Sequence, residues 1–96
     1  MRPKKTRWVK CSTAQRIFNP LTKSSSAKTI IVLSLDEFEA VRLIDHEHYS
    51  QIKAALQMRV HRSTVSRIVT SARRKIAQAL VDINTIKIEG GCCKIS

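Results

Sequence analysis

SQIKAALQMRVHRSTVSRIVTSARRKIAQAL, residues 50–80, decides the fold. In its second half Val65, Ile68, Val69, Ala72, Ile76, Ala79 and Leu80 recur at the i, i+3, i+4, i+7 spacing of one helical face. A strand, with a side-chain period of two, cannot use that pattern, so a long helix is predicted from Ser63 or Thr64 to Asp82. In the first half Ser50 is suited to cap a shorter helix, Gln51 to Met58. The polar Arg59 to His61 separates the two.

Two helices joined in this way meet the requirements of a helix-turn-helix, which needs a small residue at the crossing and apolar residues at fixed offsets. Ala55 is the small crossing residue. Ala54 and Met58 pack the first helix, Val60 plugs the turn, and Val65 and Ile68 anchor the second. The glycine usual in such a turn is replaced by Arg59, which must then adopt a less comfortable backbone geometry.

The same register turns His61, Arg62, Ser63, Ser66, Arg67 and Thr70 outward at the start of the second helix, as candidate base contacts. Arg can donate two hydrogen bonds to guanine O6 and N7, so Arg62 and Arg67 lead, with Ser63 and Ser66 next. Gln51, Lys53, Arg73, Arg74 and Lys75 are better placed for phosphates, which position a protein without specifying sequence.

Upstream, SLDE at 34–37 fits a capping box, with Asp36 and Glu37 where the helix dipole favours acids. It predicts a first helix from Leu35 to about Glu47. Its apolar residues, Leu35, Phe38, Ala40, Val41, Leu43 and Ile44, cover more than one narrow stripe, as in a helix buried on two sides. Thr29 to Leu33 is a β-branched run that reads as a strand or an extended lead-in to that helix, and Thr85 to Glu89 alternates polar and apolar residues as a short half-buried strand able to pair with it. Residues 1–28 carry Pro3, Pro20 and many cations, with Trp8, Val9, Ile17, Phe18 and Leu21 as the apolar points, and read as a basic arm. Its Arg2, Lys4, Lys5, Arg7 and Lys10 are further candidates for the DNA backbone or an adjacent minor groove. The expected fold is therefore mainly α, a three-helix helix-turn-helix domain over 29–96 with a basic N-terminal arm and short flanking β-strands.

At 96 residues the chain holds one small core, near the size where a partner subunit helps. Eighteen Lys and Arg against seven Asp and Glu give a net charge of +11, which points first to a polyanion. Charge is also segregated: residues 29–49 hold five acids, whereas residues 50–81 hold seven bases and no acid. No apolar run is long enough to span a bilayer, and MRPKKTRWVK lacks the apolar core of a secretory signal, so a cytoplasmic location without membrane contact is expected. Cys11, Cys92 and Cys93 have no C-x-x-C spacing and read as reduced thiols, with a metal or redox role only if the two ends meet. His46 and His48, two apart on a helix, make a poor chelate. No metal or other cofactor is expected. No nucleophile, base and orienter stand together and no glycine-rich phosphate loop occurs, which argues against an enzyme.

RPKKTRWV at the start, SLDEFEAVRLID, the SQ-x-x-AA-x-x-M opening at Ser50 to Met58, SARRKIAQAL at 71–80 and IEGG at 88–91 resemble an uncharacterised prokaryotic family of small predicted DNA-binding proteins. Its helix-turn-helix is similar to region four of sigma factors. The resemblance covers nearly the whole chain and implies a mostly helical fold and a role in transcription. Some relatives are joined to, or encoded beside, domains like those that bind the dinitrogenase iron-molybdenum cofactor. The chain departs from the pattern at Arg59 for Gly, at His61 for Ser, and between Cys11 and Gln15, where a proline is expected.

Sequence-specific binding of double-stranded DNA by a homodimeric transcription regulator is the reading these features favour, since two-fold pairing matches palindromic half-sites. Leu35 to Ile44 and the strand Thr85 to Glu89 are the candidate dimer surfaces, with exchange of that strand between subunits as an alternative. The alternative is a protein-interaction module contacting RNA polymerase or another regulator, with only nonspecific DNA affinity. RNA binding ranks third, because four aromatics give no stacking platform.

Overall fold

Short strands and helices alternate in the computed structural model, which describes residues 7–9, 16–21, 29–90 and the backbone of 93–95. Strands β1 (Arg7–Val9), β2 (Arg16–Phe18) and β3 (Ile30–Leu33) precede α1 (Leu35–Val41). A single π-helical turn, Arg42–His46, leads to α2 (Gln51–Met58) and α3 (Arg62–Asp82), and β4 (Thr85–Ile88) and β5 (Cys93–Ile95) close the described chain. The fold is thus mixed, with the helices its larger part.

Ser34 starts α1 as its sequence predicts. The Glu37 N–H donates to Ser34 Oγ and the Ser34 N–H donates to Glu37 Oε1, at 3.4 and 2.9 Å, so two otherwise orphaned donors are satisfied reciprocally. The continuous helix expected to Glu47 is not found. Regular α-helical bonding ends at Val41, and the Glu47 N–H reaches back five residues to the Arg42 carbonyl at 2.9 Å. The extra residue in that turn re-aims the side chains after it. Leu35 and Phe38 pack toward the sheet, Val41 touches both clusters, and Leu43, Ile44 and Tyr49 pack with α2 and α3. This is how one segment buries apolar residues over a wide arc.

Ser50 caps α2 by accepting the Lys53 N–H at 3.1 Å. Arg59 ends it in the left-handed region, at φ 56 and ψ 43, and the Val60 N–H donates to the Ala55 carbonyl at 3.1 Å. A left-handed residue after a helix satisfies its last carbonyls, and glycine does so without Cβ strain. The third helix begins one to two residues earlier than predicted. His61 is its cap, with Nδ1 accepting the Ser63 N–H at 3.1 Å. The crossing of α2 and α3 is closed by Ala54, Ala55, Met58, Val65, Ile68 and Val69, which are all buried, and Val60 packs against them.

Parallel pairing of β3 with β4 aligns Ile30 with Thr85 and Leu33 with Ile88. Parallel neighbours need a crossover, here all of α1 to α3, which packs on one face of the sheet through Phe38, Ala72 and Ile76 against Leu33 and Ile88. Two pieces of the expected arm are strands. β2 pairs antiparallel with the other edge of β4, and β1 pairs in parallel with β5, aligning Arg7 with Cys93. Val9 is fully buried, which a solvated arm would not allow. With partners on both edges, β4 is a central strand and offers no edge to a second copy. In the other expected dimer surface, Asp36, Glu37, Glu39, Ala40 and Leu43 are buried within the chain. Among the described residues no helix is long and apolar enough to cross a membrane.

Candidate functional site

Helix α3 brings most of the predicted readers to one surface. Arg62, Ser63, Arg67 and Thr70 are exposed on its first turns and Ser66 is half-buried beside them. Gln51, at the start of α2, meets Arg62, Ser63, Ser66 and Arg67 around one open depression. Donors from two helices therefore converge where no carboxylate lines the surface. His61 lies next to them, but its Nδ1 is committed to the cap and stands 2.8 Å from Ser63 Oγ. Its Nδ1 thus positions the start of α3.

Among the predicted phosphate contacts, Lys53 is exposed with its ammonium 4.1 Å from the Tyr49 ring centroid, and Arg74 is exposed further along α3. Arg73 is held differently. Its guanidinium donates from Nε and Nη2 to the two Asp45 oxygens at 3.1 and 2.7 Å. Those hydrogen bonds and the attraction between the charges hold the Asp45 carboxyl below its ordinary value despite some burial, and Arg73 is raised in turn.

Lys75 is drawn inward. It donates to Glu37 Oε1 at 2.8 Å and to the Val32 carbonyl at 3.3 Å, while Ser71 Oγ donates to Glu37 Oε2 at 2.6 Å. Burial pushes the Glu37 carboxyl up, but bonds from Lys75, Ser71 and Ser34 outweigh it and the net shift is downward. Arg7 also turns inward, 3.6 Å from Asp36, with Nε and Nη1 buried. It borders, with Arg67 and Lys75, a cavity of about 750 Å³ whose acids Asp36, Glu37 and Glu89 are already engaged. Arg73, Lys75 and Arg7 read as free cations from spacing alone because their acid partners lie 28 to 38 residues away in sequence. Arg2, Lys4, Lys5, Lys10, Cys11 and Cys92 lie outside the described residues. The two chain ends do meet through β1 and β5, although only the backbone of Cys93 is described. Among the described residues no group of His, Cys, Asp or Glu is arranged to hold a metal.

The Arg59 guanidinium lies 4.0 Å from the Trp8 ring centroid, so the odd turn residue and an apolar point of the expected arm touch. Their contact depends on β1 packing beside α2, which no local pattern announces.

A small mixed domain, basic on the face where α2 meets the start of α3, is the class that the fold and surface define. The chain belongs to the family described as "Protein of unknown function DUF134", which it matches over residues 1–96. It is 43% identical to UPF0251 protein TTE1845 of Caldanaerobacter subterraneus subsp. tengcongensis over 98% of this chain and 80% of that protein. A UPF0251 protein of Methanosarcina mazei is 42% identical over 95% of this chain, which spans 56% of that longer relative. UPF0251 protein Teth39_0655 of Thermoanaerobacter pseudethanolicus is 41% identical over 94% of this chain and 76% of its own length. No solved structure matches the chain.

Proposed function

We propose that the chain binds duplex DNA through α2, its turn and α3 acting as a helix-turn-helix similar to region four of sigma factors, and that it regulates transcription as a homodimer. The observation that carries this reading is the convergence of Arg62, Ser63, Ser66 and Arg67 with Gln51 on an open surface without acids. In a helix-turn-helix the first turns of the second helix enter the major groove, where arginine can read guanine and serine can bond base edges or phosphates. Arg62 and Arg67 are the residues proposed to read sequence. Gln51, Lys53 and Arg74 are proposed to position the protein on phosphates, and Arg73 joins them only by releasing Asp45. A net charge of +11 supports the same partner.

A protein-interaction module touching RNA polymerase or another regulator is the second reading. It is favoured by Ile52 and Leu56, which sit one turn apart on α2 and are 59% and 73% exposed. Selection from a pool of random duplexes at two salt concentrations separates the two. The DNA reading predicts salt-sensitive binding and an enriched sequence that Arg62→Ala and Arg67→Ala lose. Absence of binding at low salt would overturn it.

A further inference from the structure

The end of α3 remote from the readers carries an uncovered apolar surface. Phe18, Leu80 and Ile83 line one groove of about 200 Å³ with Pro20 and Ile86. Phe18 is 57%, Leu80 72%, Val81 79% and Ile83 60% exposed, and Leu21, next to Pro20, stands fully clear of the surface. We infer that this surface is the place where a second copy of the chain docks, with Leu21 of each copy seated in the groove of the other. The inference rests on the dimer in the proposed function and gives it a location.

Charge selects the occupant. Two molecules that each carry +11 repel one another over most of their surfaces. Residues 76–86 and 17–21 contain no base and only one acid, Asp82, so although Arg16, Lys75 and Lys87 flank them, two copies meet less like charge here than along residues 50–75. Shape agrees. A two-fold contact must be self-complementary, and a protruding leucine beside an apolar groove supplies both halves of such a contact.

Size agrees as well. The exposed apolar side chains amount to something on the order of 500 Å² per copy, at the upper end of what a monomer leaves bare and over half of the roughly 800 Å² per partner in standard interfaces. At 1.5 Å per residue, α3 separates this end from Arg62 by about 30 Å, so pairing leaves both reading surfaces free.

The test is the mass in solution of the full chain, by light scattering during size-exclusion chromatography over a concentration series and without DNA. Wild type is expected to be a dimer. Leu21→Asp and Leu80→Asp are expected to raise its dissociation constant at least about tenfold, since each places two carboxylates in an apolar contact. Ile52→Asp, on the exposed face of α2, is the control expected to leave the dimer intact, and circular dichroism checks that every variant is folded. A monomeric wild type at high micromolar concentration, or a dimer that both groove variants preserve, would overturn the inference. Low-salt binding of a short duplex is measured in parallel. Absence of DNA binding with the dimer intact would sink the DNA reading and leave this interface standing, whereas DNA binding by a monomeric wild type would sink the interface and the homodimer and leave the DNA contacts of α2 and α3 standing.

Discussion

Trp8 covers Arg59, whose guanidinium lies 4.0 Å from the indole ring centroid and whose backbone holds the left-handed conformation that ends α2. An L residue there costs roughly 1–2 kcal/mol, and a cation over an aromatic face at a partly exposed site returns about 0.5–1 kcal/mol. The arginine is thus a strained turn residue partly offset by a contact from the N-terminal strand. Arg59→Ala keeps the strain and loses the contact, whereas Arg59→Gly loses both. In urea titrations the glycine variant is expected to be more stable than the alanine variant by about 1 kcal/mol. Equal stability would mean that the turn is unstrained.

Val9 tests whether the first residues belong to the fold. It is fully buried, so Val9→Ala should destabilise the protein by about 2 kcal/mol through lost burial and a residual cavity. Ile52→Ala, on an exposed side chain, should stay within about 0.5 kcal/mol of wild type. A neutral Val9→Ala would return β1 to the status of a solvated arm.

The two substitutions also mark how far the sequence could be read. Helical periodicity from Val65 to Leu80, the Ser34 box and the Ser50 cap are local signals, and the helices fall near where those signals put them. The π turn at Arg42–His46 left only an indirect trace, an apolar arc too wide for one stripe. Strands of three residues carry almost no periodicity, so in the sequence β1 and β2 read as parts of a basic arm although Trp8, Val9, Ile17 and Phe18 stand out as its apolar points. At the candidate site, exposure on α3 followed from helical register. The loss of Arg7, Arg73 and Lys75 to acids did not, because Asp36, Glu37 and Asp45 come from distant segments that only the tertiary packing brings near.

Acid should expose the cluster around Glu37. Its pKa is lower folded than unfolded, so its stabilisation is complete above the ordinary value of 4.5 and fades as pH falls through the lower folded value. Asp45 is shifted in the same direction, but it is exposed and held by a surface pair that contributes little. Stability followed by urea titration should therefore fall below about pH 4.5 in wild type and fall less steeply in Glu37→Gln. At neutral pH that variant should be weaker by about 1–2 kcal/mol, because Lys75 and Ser71 lose a charged acceptor. Parallel pH profiles would remove Glu37 as the titrating group.

Arg73 supplies a prediction in which removing an acid strengthens binding. Asp45 holds its guanidinium through two hydrogen bonds at a half-exposed site, where such a pair contributes at most about 1 kcal/mol to stability. Asp45→Asn should thus change the denaturation midpoint little. It also removes the negative charge beside Arg73 and frees that cation on α3 for a phosphate. Each added phosphate contact steepens the dependence of log affinity on log salt by about 0.9. Measured by fluorescence anisotropy on one duplex, Asp45→Asn is expected to bind several-fold more tightly at low salt, with a salt slope steeper by roughly one, and Arg73→Ala in the same background should cancel both changes. An unchanged slope would mean that α3 meets DNA only through its first turns, with Arg73 and Asp45 serving to join α3 to the π turn.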